Sequence, residues 1–507
     1  MTRSQKLFLK LFVLLIAIFF LTARPVSLAL ASPRAEDLFE KAGELYNAAN
    51  YTAAKETYER AGKEYARAGK DEMARACRVG VIQIEKIFLD YSLDEKAARK
   101  TLADEFDFLS ENERNALLAG AESMMIDGRK RYFGSIAANA RYRNPELMLK
   151  DSKKIKTFDT FLDRTKDIIY RDPKSNFQAK AYQPYINPIT YFGSTGFDIP
   201  RKKLPPAGAF KAWLPLPVTT ASQQDFRIVS VTPAEYMKAL PDCDRDINNA
   251  YFEIPLDKIK GDLHIRIEFT YTRYEERFII EPDNVGQYDR NGEIFKTYTR
   301  SYGHTEITAG IEKTAREIAG AETNPYLVAK KLYDHVFGDV KYSYMPHLAL
   351  GVLDISESVY VHENRFGDCG AQSMYFSALC RSLGIPARAC GGYQLIPDLA
   401  GAHFWAEFYL PNYGWVPVDT SVAQLVVYRP RLTAEQKRRF KEYFFGNLDP
   451  YRFMIQKDVD RTLTPRPAVP PLFPGAIQNP HVECLEYKGN PVDFLKFWKQ
   501  DIVPLAK

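Results

Sequence analysis

The stretch that decides the fold reads GDCGAQSMYFSALCRSLGIP and occupies residues 367–386. Behind Cys369 the apolar residues recur at helical spacing, and Gly384 followed by Pro386 is typical of a helix end. The pattern therefore predicts a helix whose first turn lies at Cys369 or one residue after it. The positive end of a helix dipole and its free N–H groups favour a thiolate and can stabilise an oxyanion. Cys369 is therefore the candidate nucleophile.

A nucleophilic thiol needs a general base, and the base needs an orienting partner. A strand is predicted to start at His403, a turn covers 411–414, and a return strand ends at Asp419. A four-residue loop would pair Asp419 with Ala406, on the wrong face for His403, whereas an odd-length loop or a bulge restores the shared face. Pro417 cannot donate to a ladder, so we expect an irregularity or a sheet edge there.

These motifs together resemble the core of the transglutaminase-like superfamily over roughly residues 325 to 425, about a fifth of the chain. The resemblance rests on the order and spacing of these segments: GDC at 367–369, ALCRSLGIPAR at 378–388, GY at 392–393, AHFWAEFY at 402–409 and GWVPVD at 414–419. Two details depart from the family pattern: Phe404 stands where Ala is frequent, and Thr420-Ser421 stands where Pro-Thr often follows.

The resemblance implies a papain-like α+β core with a catalytic triad in which Cys369 is the nucleophile, His403 the base and Asp419 the orienter. It also implies the chemistry: attack on a peptide or carboxamide carbonyl, a thioester intermediate, and transfer of the acyl group to an amine or to water. The backbone N–H of Cys369 is one candidate oxyanion donor. The side chains that could supply a second donor, or equally be core or rim residues, are Tyr342, Tyr344, Asn364 and Gln372.

Composition excludes several classes of protein. The chain has 507 residues, 46% of them hydrophobic and 26% charged, which excludes a wholly disordered chain and a polytopic membrane protein. The formal net charge is +5, and no Lys/Arg block argues for nucleic acid. There is no C-x-x-C pair and no acidic loop of EF-hand type, so we expect neither a metal nor another cofactor.

The first residues are typical of an export signal. Basic residues precede an apolar run over 11–23, and a small-x-small pattern follows at 29–31, so residues 1–31 are predicted to be a cleaved signal peptide. An uncleaved anchor is the alternative, although the run is short for a membrane span. We therefore expect a periplasmic or extracellular protein with no membrane span after signal cleavage. Its six cysteines are sparse and irregularly spaced, which does not suggest a disulfide scaffold.

The fold class predicted is a multidomain α+β protein. Residues 35–172 read as helices and resemble one tetratricopeptide-type hairpin with a looser second one, although plain helical packing is the interpretation we favour because fewer than three repeats are visible. Residues 180–300 are predicted to form an antiparallel β domain, for which a sandwich is the architecture we favour. The transglutaminase-like core is assigned to 301–430, and a C-terminal helix with an irregular extension to 431–507.

Three functions follow from this organisation. The first is an exported thiol enzyme, a cysteine peptidase, amidase or acyltransferase, whose substrate is a protein or peptide, with cell-wall peptide as one candidate. The second is a non-catalytic protein-binding module of the cell envelope that uses the same fold. The third is an inert structural or envelope-assembly protein, which would have no reactive thiol. In either of the first two cases the helical region is a candidate docking surface for a protein partner.

Overall fold

The computed structural model describes residues 33–171, 183–471, 473 and 475–505. The chain divides into two compact units, Met1–Val81 and Ile82–Lys507. The predicted signal peptide at 1–31 lies outside the described residues. The predicted fold class is confirmed, since helices precede several antiparallel sheets and a mixed α+β core. Among the helices described, none has the length and apolar character needed to cross a membrane.

The first unit is helical, with α1 at Pro33–Asn47, α2 at Tyr51–Arg67 and the first part of α3, which runs over Asp71–Asp90. Small residues let these helices approach closely: Ala35 and Ala61 are fully buried beside Tyr65 and Cys77. The predicted hairpin is therefore present as two antiparallel helices, and its kinship with tetratricopeptide repeats stays a prediction.

The helical region continues in the second unit. Its elements are α4 Glu95–Glu105, α5 Glu111–Ala119, β1 Ser123–Ile126, β2 Arg129–Tyr132, α6 Ile136–Arg143, α7 Pro145–Lys150 and α8 Ser152–Ile169. The prediction that residues 35–172 form helices is wrong at 123–132, where β1 and β2 form a hairpin. Asp127 and Gly128 both have positive φ, +51° and +71°. That is the backbone an Asp-Gly pair adopts in a two-residue hairpin turn, and the dipeptide could have been recognised in the sequence.

Two antiparallel sheets share one core and form the β domain. Their strands from the middle of the chain are β3 Tyr185–Ile199, β4 Ala209–Pro215, β5 Gln223–Thr232, β6 Met237–Ala239, β7 Asn249–Pro255 and β8 Leu263–Arg277. Along β8 buried residues alternate with more exposed ones at 263–270, as the period-two pattern predicted. Short 3₁₀ segments lie at Arg201–Lys203, Ala234–Tyr236, Leu256–Lys258 and Pro282–Asn284.

The α+β core follows the β domain. Its helices are α9 Glu293–Tyr298, α10 Ala309–Ala319, α11 Pro325–Asp339, α12 His347–Val352, α13 Glu357–Asn364, α14 Cys369–Ser382, α15 Thr420–Ala423 and, after a 3₁₀ turn at Gln424–Tyr428, α16 Ala434–Tyr443. Its strands are the parallel pair β9 Lys341–Tyr342 and β10 Phe366–Gly367, and then β11 Ala387–Gln394, β12 Gly401–Leu410 and β13 Gly414–Val418. Helix α14 packs on β11 and β12, and its residues 370–381 are all buried.

The segment after the core returns to both sheets rather than remaining irregular. It forms β14 Asn447–Leu448, β15 Arg452–Gln456, β16 His481–Glu483, the 3₁₀ segment Pro491–Phe497 and β17 Trp498–Pro504. Strand β15 joins the core sheet in the order β13-β12-β11-β15. Strands β14 and β17 extend one β-domain sheet, β14-β8-β3-β17, and β16 extends the other, β16-β4-β7-β6. Thr433 and Gln436 form a capping box at the start of α16.

Candidate active site

Cys369 is the first residue of helix α14. The Asp368 side chain caps the helix and accepts a hydrogen bond from the Ala371 N–H at 3.0 Å. At the other end the N–H groups of Gly384 and Ile385 bond to carbonyls in the last turn, a Schellman arrangement that places Gly384 at φ +75°. Both predicted helix boundaries are therefore confirmed within one residue.

The β12–β13 hairpin carries the other two residues on one face. Leu410 pairs with Gly414 and Ala406 with Val418, so the loop has three residues, 411–413, rather than four. Because the loop has an odd number of residues, Asp419 lies on the same face of the hairpin as His403, as contact between them requires. Pro417 pairs with Glu407 without a bulge, because β13 is the edge strand of its sheet and needs no donor there.

The structure brings His403 and Asp419 into contact, with 2.8 Å between Nε2 and Oδ2. Asp419 also accepts hydrogen bonds from Arg452 at 2.9 Å, from the Val422 N–H at 3.1 Å and from the Ser421 hydroxyl at 3.2 Å. Burial alone would raise the pKa of Asp419, but His403 and Arg452 outweigh it and lower that pKa to about 2. The ionised carboxylate therefore accepts a hydrogen bond from the Nε2–H of His403, which leaves Nδ1 as the ring nitrogen that can accept a proton.

The Cys369 thiol lies beside the strand that carries His403. It is held by the backbone N–H of Phe404, the next residue, and it is within electrostatic range of Asp419. Burial raises the pKa of the Cys369 thiol, and the Asp368 carboxylate raises it further. The backbone N–H groups of Phe404 and Gly370 lower this pKa, but by less. The expectation that the helix end would favour the thiolate is thus incomplete: its N–H groups act in that direction, but burial and the capping carboxylate act more strongly.

Arg452 fixes the carboxylate end of this arrangement. The side chain is fully buried, and its guanidinium bonds both to Asp419 and to Asp449, the latter at 2.6 Å from Nη2. Its side chain also lies near the ring of Trp405, 5.6 Å from the ring centroid, and that ring stacks on His403. Asp419 therefore cannot rotate away from the imidazole without breaking a buried ion pair.

A second line of charged groups supports the helix cap. Nε2 of His347 bonds to Oδ2 of Asp368 at 2.7 Å, and Nδ1 of His347 bonds to Glu357 at 2.9 Å. Beyond Glu357 lies His304 at 3.6 Å, which is itself paired with Asp460. Burial would lower the pKa of His347, but Asp368 and Glu357 raise it well above the usual value. We expect a cationic His347 that holds the Asp368 cap in place.

The proposed oxyanion donors separate into two groups. Gln372 is committed to the Gly367 carbonyl and to Gln424, both at 3.0 Å, and Asn364 donates to the Tyr360 carbonyl on the surface of α13. Neither is available to a substrate. Tyr342 and Tyr344, by contrast, lie close enough to Cys369 to interact with it electrostatically. The tyrosines therefore remain candidates, together with the Cys369 N–H.

The other cysteines and histidines fit structural roles. Cys380 and Cys390 are fully buried in α14 and β11, and burial raises the pKa of both thiols. All six cysteines, which lie in the described part of the chain, are free thiols. His362 lies in α13 and contacts the Tyr375 hydroxyl at 3.3 Å. No group of His, Cys, Asp and Glu within the described ranges is arranged to hold a metal ion.

The comparison with protein families agrees with this geometry. Residues 312–420 match the family model described as the transglutaminase-like superfamily, and the matched segment contains Cys369, His403 and Asp419. The chain therefore carries a transglutaminase-like domain, which supports a cysteine-dependent enzyme of that superfamily. The β domain and the helical region lie outside the matched segment.

Individual relatives cover different parts of the chain. An uncharacterised protein of Haemophilus influenzae is 28% identical over 200 residues, which is 34% of this chain and 53% of the relative, so the chain spans about half of that relative's length. Among solved structures, a protein of Cytophaga hutchinsonii called a "putative cysteine protease" is 15% identical with a TM-score of 0.37 and covers 63% of this chain and 92% of its own. A "putative protease" of Parabacteroides distasonis is 11% identical over 48% of each chain, with a TM-score of 0.19.

Several residues at the site were missed by sequence reasoning. Arg452 lies 33 residues after Asp419 in the sequence, and His347 lies 22 residues before Cys369. Neither residue stands in a motif. Asp368 stands within the GDC motif, directly before the helix, and an Asp at that place is typical of a helix N-cap. Tyr142, which interacts electrostatically with Cys369, lies in α6 of the helical region, where the pattern shows only packing.

Proposed function

We propose that this protein is an exported thiol enzyme that attacks a peptide or carboxamide carbonyl through Cys369. The observation that carries the proposal is the 2.8 Å contact between His403 and an ionised Asp419, on the strand pair against which the Cys369 thiol rests. A retired binding module has no need to keep a buried carboxylate, an imidazole and a thiol together, since buried charges are costly.

The reaction begins with a neutral thiol, because burial and Asp368 raise the pKa of Cys369. His403 Nδ1 takes the thiol proton as the sulfur attacks the carbonyl carbon, and Asp419 stabilises the imidazolium that forms. The negative charge that develops on the carbonyl oxygen is met by the Cys369 N–H and by Tyr342 or Tyr344. His403 then returns its proton to the leaving amine, which leaves a thioester on Cys369.

The thioester is resolved by water, giving a peptidase or amidase, or by an amine, giving an acyltransferase. In both cases His403 removes a proton from the incoming nucleophile, so the same residues serve either outcome. The basic residues, the apolar run and the small-x-small pattern within residues 1–31 support export to the periplasm or cell exterior as a sequence pattern. The substrate proposed is a protein or peptide, and no cofactor is required by this chemistry.

The test is alkylation of the thiols by iodoacetamide near neutral pH, read by peptide mass spectrometry. Because His403 removes the thiol proton as the sulfur attacks, we expect Cys369 to react much faster than Cys243, the other cysteine that is not fully buried, in spite of its raised pKa. The rate should fall about 10²–10⁴-fold in His403→Ala. Equal slow labelling of both thiols would sink the proposal. The Cys369→Ala variant should remain folded, because it removes one small side chain, and it supplies the inactive control.

Transfer and hydrolysis are separated by a second measurement. A fluorescent primary amine incubated with a glutamine-rich protein becomes covalently attached only if the thioester is open to amines. Release of new N-termini from the same protein reports peptide hydrolysis. The Cys369→Ala variant must abolish whichever signal appears.

A further inference from the structure

A cavity of about 170 Å³ lies beside His403. Its walls come from helices α6 and α8 of the helical region, from strand β9, from the end of β11 through the start of β12, and from the segment that follows Asp419. The mechanism proposed above assigns no role to most of these residues. The cavity is therefore the place where a substrate group next to the reacting carbonyl would lie.

The walls of this cavity are mainly aromatic and aliphatic. Phe158 stacks on Tyr428 with ring centroids 5.6 Å apart, and Tyr142 lies 4.6 Å from Tyr342. Within the part of the chain that the structure describes, no Asp, Glu, Lys or Arg lines the cavity. A charged substrate group would lose its hydration there without gaining an opposite charge.

The volume fits one ring. An apolar cavity of about 150 Å³ is large enough to hold benzene, so about 170 Å³ accommodates the side chain of a Phe or Tyr residue. Aromatic walls give such a ring edge-to-face contacts that an aliphatic side chain cannot make. The walls are also fixed in advance: the Tyr428 hydroxyl donates to the Tyr142 carbonyl at 2.8 Å, which joins the helical region to the core.

One polar group in the cavity wall has no partner. The side-chain nitrogen Nε2 of Gln394, at the end of β11, is buried and makes no hydrogen bond to any described residue. A buried amide N–H without an acceptor destabilises a folded protein, and such groups are rare unless a ligand satisfies them. The acceptor that a peptide substrate brings to this place is a backbone carbonyl oxygen.

We propose that this cavity binds an aromatic side chain of a peptide substrate, adjacent to the carbonyl that Cys369 attacks, and that Gln394 donates its amide N–H to a backbone carbonyl of that substrate. The inference rests on the proposed function for its reaction, and on the cavity alone for its binding. It favours a protein substrate with aromatic residues over a cell-wall peptide rich in carboxylates.

Binding is tested without catalysis in the full-length Cys369→Ala variant. Saturation-transfer NMR with N-acetyl-phenylalaninamide should show contact with the protein, and the alanine, aspartate and lysine analogues should not. Thr157→Phe fills the cavity and should abolish the signal, whereas Thr160→Phe, one turn further along α8 and outside the lining, should retain it. Equal binding of the aspartate analogue, or no effect of Thr157→Phe, would overturn the inference.

Reactivity supplies the second arm, with peptidyl chloromethyl ketones that carry Phe, Ala, Asp or Lys next to the ketone. The thiolate sulfur displaces chloride, forms a thioether and leaves the enzyme inactive. We expect the Phe reagent to inactivate at least 10-fold faster than the Asp reagent. In Gln394→Leu the rate of inactivation by the Phe reagent should fall about 10-fold relative to the rate of iodoacetamide labelling of Cys369.

The two proposals can fail separately. Rapid, His403-dependent labelling by iodoacetamide with no preference among the peptidyl reagents would support the thiol enzyme and rule out the aromatic site. Aromatic binding without a reactive Cys369 would do the reverse. The thermal midpoint of Gln394→Leu should equal or exceed that of the parent, because the change removes an unpaired buried donor.

Discussion

Replacing Arg452 by Met should destabilise the protein and weaken the triad together. The guanidinium is fully buried and bonds to two carboxylates, Asp419 and Asp449, which are themselves 1% and 0% exposed. Methionine keeps much of the apolar volume but leaves both carboxylates without their cation. Removing one partner of a buried ion pair costs about 3–5 kcal/mol.

That cost converts into a modest change in melting temperature because the folded unit is large. The unit Ile82–Lys507 unfolds with an entropy of roughly 0.9 kcal/mol per kelvin, taking about 2.1 cal/mol/K for each residue. We therefore expect the thermal midpoint to fall by about 3–6 °C at neutral pH, measured by circular dichroism or calorimetry. Arg438→Met is the matched control, because Arg438 also pairs with two carboxylates, Glu435 and Glu442, but on the surface.

The loss should depend on pH with a defined sign. The pKa of Asp419 is about 2 in the folded protein, below the usual value near 4, so its contribution to stability is about 2 kcal/mol above pH 4 and disappears as the pH falls towards 2. Without Arg452 the pKa of Asp419 rises, so the difference between variant and parent should shrink on acidification, when the carboxylates become neutral.

Activity gives an independent reading of the same change. Without Arg452 the Asp419 side chain is free to rotate, and its hydrogen bond to His403 is weakened. Because His403 is then held less firmly, the rate of Cys369 alkylation should fall. A midpoint lowered by no more than in Arg438→Met, with an unchanged alkylation rate, would refute the idea that Arg452 anchors the triad. Asp449→Asn in the Arg452→Met background should recover part of the stability, since it removes one uncompensated charge.

Four further outcomes are expected. Asp368→Asn keeps a capping side chain but removes the charge that raises the pKa of Cys369, so the pH profile of alkylation should move to lower pH; an unmoved or upward-shifted profile would contradict this. Burial lowers the pKa of His304, but Glu357 and Asp460 raise that pKa to about 9 in the folded protein. The contribution of His304 to stability is therefore complete below about pH 6.5 and is lost as the pH rises through 9. The thermal midpoint of His304→Gln should converge on that of the parent between these two pH values. Gly392→Ala places a Cβ 1.8 Å from the Phe453 carbonyl oxygen and should prevent stable folding, whereas Gly401→Ala, with open space, should be tolerated in the same solubility and melting assays. His347→Gln should slow alkylation of Cys369 by releasing the Asp368 cap, with a smaller effect in the Asp368→Asn background if the two residues act together.

The parts of the structure that could be predicted are those set by local rules. The helix at Cys369 follows from apolar spacing and from Gly384, and the pairing of His403 with Asp419 follows from strand parity once an odd loop is allowed. The Asp127-Gly128 hairpin is set by an equally local rule, because an Asp-Gly pair predicts a two-residue turn. At this place the Asp-Gly pair predicts the structure better than the helical spacing of the surrounding apolar residues does.

The rest depends on contacts between distant segments. Arg452 reaches Asp419 only because β15 pairs with β11, and nothing in its immediate sequence distinguishes it from a surface arginine. His347 looked like one of several scattered histidines until the fold set it between Asp368 and Glu357. Tyr142 and Gln394 belong to one cavity through tertiary packing alone, which no spacing in the sequence records.

The return of strands β14 to β17 to earlier parts of the structure has a consequence for synthesis. Translation yields Cys369, His403 and Asp419 before it yields Arg452 or the last strand of the β domain, which ends at Pro504. At 5–20 residues per second the interval between Asp419 and Pro504 is roughly 4–17 s. A nascent chain that has passed Asp419 but not Arg452 therefore carries Cys369, His403 and Asp419 without the cation that pairs with the carboxylate.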